Sequence, residues 1–77
     1  MDEKHANKLV RSIMGKRGVD LSMADVRVSH GVCYIRGTIT FIKGRTPDSK
    51  ETAMGQVLRA LRQQPDIRDV ICEYTLR

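Results

Sequence analysis

The 77 residues, 8.7 kDa in all, hold one small domain and leave no room for a second core. With 40% apolar and 30% charged residues the composition excludes a disordered polar tract, and no run approaches the roughly 18 apolar residues of a membrane-spanning helix. Fourteen Lys and Arg against nine Asp and Glu leave a net charge of +5, which favours anionic partners such as phosphate-bearing surfaces or acidic proteins.

From Asp2 to Met14 the apolar residues Ala6, Leu9, Val10, Ile13 and Met14 recur at helical spacing, with Asp2 and Glu3 in the first turn and Gly15 as the stop. Lys4, Lys8 and Arg11 form a basic stripe on the other side of this helix, continued by Lys16 and Arg17. Gly15-Lys16-Arg17-Gly18 closes this N-terminal part, residues 1–18, and residues 19–77 read as strand, strand, helix, strand within the same single domain 1–77. The charged residues among the first twenty break the apolar core that a secretory signal needs, so the expected compartment is the cytoplasm, with a peripheral place at the membrane as the alternative.

Between Asp25 and Ile42 the period becomes two. Val26 and Val28, then Cys33, Ile35 and Ile39, alternate with polar residues, and Ser29-His30-Gly31 between them predicts a tight antiparallel hairpin with a structural glycine at Gly31. Gly37, the second structural glycine, falls inside a strand, where it marks a bulge or the close approach of another element, here expected to be a helix crossing the sheet. Thr46 as N-cap and Pro47 as first helical residue predict a second helix running to about Gln63, ended by Pro65-Asp66. Val70, Cys72, Tyr74 and Leu76 then share one face of a last strand.

The expected fold is α+β: a single small αββαβ domain, with a three-stranded sheet and two helices packed on one face. The other sheet face is left open, carrying Arg27, Tyr34, Arg36, Thr38, Thr40, Ile71, Glu73 and Thr75, with Tyr34 and Ile71 as its apolar anchors.

Signatures of catalysis are scarce. The glycines lack the spacing and the Lys-Ser/Thr ending of a phosphate-cradling loop, and no small-molecule substrate site or cofactor is evident. Cys33, Cys72, His5 and His30 include no short-range pair of the kind that structural zinc sites use, so no metal is expected. Cys33 with His30 is the sole local nucleophile-base pair, but a core cysteine and a hairpin-tip histidine explain both residues, and Asp66 and Asp69 read as solvated turn residues. Both thiols are expected to be buried and reduced. Gly15-Lys16-Arg17-Gly18 matches the GxxG of nucleic-acid-clamping KH loops, yet it lies between a helix and a strand rather than between two helices, and Tyr34, Phe41 and Tyr74 are the whole aromatic complement.

The pattern from about Val19 to Leu76 resembles the BON domain, a small bacterial module. The stretch from Val26 to Ile39 looks like that family's hairpin, with its turn glycine at Gly31 and an Ile-x-Gly ending at Ile35 to Gly37. Ala53, Val57 and Leu61 fall where the family places its second-helix core, and Ile67 to Val70 is similar to its approach to the last strand. Asp66 stands where the family commonly has glycine, and the connection from Phe41 to Asp48 is longer and more basic than usual. The resemblance implies αββαβ topology and attachment to phospholipid membranes.

Function is therefore expected to be non-enzymatic binding to an anionic phospholipid surface through Lys4, Lys8, Arg11, Lys16, Arg17, Lys43 and Arg45. A protein partner or a homodimer joined through the open sheet face around Arg27, Tyr34, Arg36 and Ile71 is the first alternative, and a KH-like RNA-binding module the second.

Overall fold

A computed structural model describes residues 3–77, so the Asp2 expected in the first helical turn lies outside the described residues. The elements run α1 (Glu3–Lys16), β1 (Val19–Asp20), β2 (Ala24–Ser29), β3 (Val32–Phe41), α2 (Lys50–Arg62) and β4 (Asp69–Leu76). β3 is the centre of the sheet, paired antiparallel with β1 and β2 along one edge and parallel with β4 along the other. The fold is α+β, as expected, but the sheet has four strands rather than three.

The additional strand comes from a bulge. Val19 and Asp20 pair with Phe41 and Thr40, and pairing resumes with Ala24 opposite Gly37, so three residues, Leu21 to Met23, span the two positions Thr38 and Ile39. The Asp20 carboxylate accepts the Ser22 N–H at 2.9 Å inside this bulge, which holds Asp20 below the usual carboxylate pKa. One extra residue reverses the alternation of faces: the core is reached by odd-numbered Val19 before the bulge and by even-numbered Val26 and Val28 after it. A period-two reading therefore finds β2 and misses β1.

Gly37 sits at the end of the bulge with φ +89°, and a Cβ there would lie 2.7 Å from the Met23 carbonyl oxygen. The close approach predicted at Gly37 is real, but its source is the Met23–Ala24 backbone and not a helix, because Thr38 N–H donates to that same carbonyl at 2.9 Å. The hairpin also forms as expected. Ser29 pairs with Val32, leaving His30 (φ 51°) and Gly31 (φ 81°) as a two-residue loop in which both residues have the positive φ of a type I′ turn.

Both helix boundaries differ from expectation. α1 passes through Gly15 to Lys16, and the left-handed residue is Gly18 (φ 80°); the last carbonyls of the helix are taken up by the turn bonds from Arg17 and Gly18 and by Arg45. α2 begins not at Thr46-Pro47 but at Lys50, since Ser49 is extended and its Oγ accepts the Thr52 N–H at 3.2 Å. Thr46 and Ser49 are both N-cap residue types, and only the path of the connecting loop decides between them.

Both helices lie on one face of the sheet. Ala6, Val10 and Met14 of α1 and Met54, Val57 and Leu61 of α2 close over Val26, Val28, Cys33, Ile35, Ile39 and Val70 to make the core. The opposite face is uncovered, as predicted. Cys33 is buried but Cys72 is exposed, against the expectation of two buried thiols, because β4 forms the outer edge of the sheet where helix cover thins.

Two glycine replacements should separate backbone constraint from intrinsic propensity. Gly37→Ala is expected to lose on the order of 1–3 kcal/mol in urea unfolding, since the new methyl meets fixed backbone at positive φ. Gly55→Ala, on an exposed turn of α2 with nothing within 4 Å of the added carbon, is expected to gain about 0.5–1 kcal/mol.

Candidate functional site

The seven cations proposed from sequence fall in two places, along α1 and at its C-terminal end. α1 presents Lys4, Lys8 and Arg11 beside Asn7, and this side of the helix runs along the outer edge of β2. There Asn7 Nδ2 donates to the Val28 carbonyl at 3.2 Å and Asn7 Oδ1 accepts the Val28 N–H at 2.9 Å. Arg11 Nη2 donates to the Val26 carbonyl at 3.2 Å. The side-chain amide thus imitates a neighbouring strand, and Arg11 has a structural duty at a sheet edge that is otherwise a row of unpaired backbone groups.

At the far end of α1 the chain brings two basic segments together. Ile42 N–H donates to the Gly18 carbonyl at 2.8 Å, Arg45 Nη1 to the Gly15 carbonyl at 3.3 Å, and Arg45 Nη2 to the Lys16 carbonyl at 2.6 Å. A tight turn in which Arg45 N–H donates to the Ile42 carbonyl at 2.8 Å fixes the second segment. Residues 15–18 and 42–45 therefore place Lys16, Arg17, Lys43 and Arg45 at one end of the molecule, and neither segment contains Asp or Glu. Arg45 serves also as a cationic cap for the negative end of the helix dipole.

Ile42, in the second of these segments, is 41% exposed, an apolar residue that composition alone does not single out. Lys4 and Lys8 are exposed but farther off, Lys8 lying about 12 Å up the helix from Lys16 at the helical rise per residue.

The open sheet face has the membership predicted for it. Arg27, Tyr34 and Ile71 make one cross-strand row, and Asp25, Arg36 and Glu73 the next. Arg36 Nε is 3.4 Å from Glu73 Oε1 in an exposed ion pair of small energetic weight. Asp25, Arg27, Ser29, Tyr34 and Arg36 line a shallow depression here, in which the Tyr34 ring stands amid mixed charges.

Cys33 and Cys72 share the helix-side face as diagonal neighbours: Cys33 pairs with Val70 and Cys72 with Ile35. Burial pushes the Cys33 thiol up to about 11, with the Cys72 side chain adding to the rise. Cys72 is also raised, first by partial desolvation, while the Arg62 guanidinium opposes and Asp69 reinforces the shift. Among the described residues no group of three or more His, Cys, Asp and Glu side chains is placed to hold a metal ion, and no helix is long and apolar enough to cross a membrane.

Compared with models of protein families, with curated proteins and with solved structures, the chain matches none.

The two thiols should differ sharply in reactivity. At pH 8 a group titrating near 11 is about one part in a thousand thiolate, and Cys33 is sterically enclosed as well. Iodoacetamide followed by mass mapping is expected to label Cys72 in the native protein and Cys33 only after denaturation.

Proposed function

We propose that this chain is a non-enzymatic, BON-like binding module that attaches peripherally to anionic phospholipid surfaces. The observation that carries the reading is the joining of residues 15–18 to residues 42–45, which brings Lys16, Arg17, Lys43, Arg45 and the exposed Ile42 to one end of the molecule. Cations contribute charge pairing with headgroup phosphates, about 1 kcal/mol each near the surface, and an apolar residue among them can enter the interface. This combination suits a lipid surface better than free phosphate, which offers nothing to an exposed isoleucine.

The seven proposed residues divide into three roles under this reading. Lys16, Arg17 and Lys43 make the primary contact. Arg11 and Arg45 bind backbone carbonyls, so their charges act from fixed positions, and Lys4 and Lys8 extend the field along α1. The observed order, αβββαβ, contains the αββαβ order that the BON resemblance implies, with β1 as an additional strand.

Vesicle sedimentation with phosphatidylglycerol against phosphatidylcholine tests this directly. Lys16→Glu combined with Lys43→Glu is expected to lower affinity for the anionic vesicles by roughly tenfold or more at low salt, given about 1 kcal/mol per cation. Ile42→Ser should lower it further without changing the salt dependence, and Lys4→Glu should act weakly. Wild-type binding by the double variant, or equal binding to both lipids, would rule the reading out.

A further inference from the structure

Of the four residues Gly15-Lys16-Arg17-Gly18, the lipid reading uses the two cations and leaves the second glycine without a role. Gly18 has a partner within the chain. It is buried at φ +80°, and a Cβ there would stand 3.0 Å from Arg45 Cβ and 3.2 Å from Arg45 Nε. The bare α-carbon is a notch over which the Arg45 side chain lies, and past it the guanidinium reaches the Gly15 and Lys16 carbonyls. Where the GxxG of a nucleic-acid-clamping loop meets an external backbone, this glycine meets a side chain of its own protein.

Among the described residues, three hydrogen bonds tie residues 42–45 to residues 15–18, and Arg45 donates two of them. The third is the backbone bond from Ile42 N–H to the Gly18 carbonyl. We infer that Arg45 is the positioning residue of the anionic-surface site: its planar fork, seated on Gly18, holds Ile42 and Lys43 at the same end of the molecule as Lys16 and Arg17. This role rests on the lipid reading, and the shape of the guanidinium carries it rather than the charge. A guanidinium spans two successive carbonyls, whereas a lysine ammonium is a point charge on a flexible stem and cannot reproduce the fork. Without the fork, residues 42–45 keep one backbone bond to residues 15–18, and binding must order the segment that Arg45 otherwise holds in place.

Variants that preserve charge test the role. Arg45→Lys is expected to weaken binding to phosphatidylglycerol vesicles by about three- to tenfold, the cost of ordering a loosened segment, with the salt dependence unchanged. Gly18→Ala leaves every charge in place but sets a methyl against the Arg45 stem at positive φ, with an effect in the same direction. The two losses are expected to fall well short of multiplying in the double variant, since both substitutions break one contact. Without lipid, hydrogen exchange at the Ile42 amide should quicken in both single variants while the Cys33 and Ile35 amides of β3 stay protected, which separates a loosened site from a destabilised fold. Lys43→Glu is the contrast: affinity and salt dependence both fall, and Ile42 exchanges as in the wild type. Wild-type affinity in both charge-preserving variants, losses that multiply, or an Ile42 amide as slow as in the wild type would overturn the positioning role and leave the lipid reading standing. A wild-type chain that does not prefer phosphatidylglycerol to phosphatidylcholine would remove both.

Discussion

Everything in this domain depends on β3 being paired along both edges while only one of its faces is covered. Cys33, Ile35 and Ile39 are fully buried beneath the two helices, so the strand has a single permitted orientation, and each neighbour must match its register. The mixed sheet follows. A two-residue turn joins β2 to β3 antiparallel, and the return through α2 brings β4 alongside in parallel. The bulge at Leu21 to Met23 lets a second segment, β1, join the same edge without exposing Val19.

Backbone polar groups at the ends and edges of these elements need partners, and α1 and its neighbours supply several of them. Asn7 and Arg11 close the β2 edge, and Arg45 reaches across from the loop before α2 to the last carbonyls of α1. Two of the seven cations with a proposed anion-binding role are thereby anchored to backbone. Four of the fourteen Lys and Arg residues, Lys16, Arg17, Lys43 and Arg45, meet at the C-terminal end of α1, where Arg45 also supplies hydrogen bonds to the last carbonyls of the helix.

The order and type of the long elements were legible in the sequence because each carries a clear period. Ala6, Val10 and Met14 mark one helix, Met54, Val57 and Leu61 the other, and Val26, Val28, Cys33, Ile35 and Ile39 the hairpin. The helix boundaries were less legible: Gly15 and Gly18 compete as stops, as do Thr46 and Ser49 as starts, and the path of the adjoining chain settles each pair. β1 was hidden because a bulge reverses the alternation on which a strand is recognised. Of the proposed site, the residue types and their charge were readable in advance, but Ile42 carried no signal beyond being one isoleucine in a basic loop.

Sequence alone thus determined the α+β class, the Gly31 hairpin, the two amphipathic helices and the cationic balance, since these depend on contacts or patterns within a few residues. Tertiary structure decided what depends on residues distant along the chain. It alone joins residues 15–18 to 42–45, assigns Arg11 and Arg45 to backbone carbonyls, leaves Cys72 exposed while burying Cys33, and sets Asn7 over the β2 edge. The physical reason is the same in each case: a side chain's partner is set by which elements pack together, and no local period encodes that.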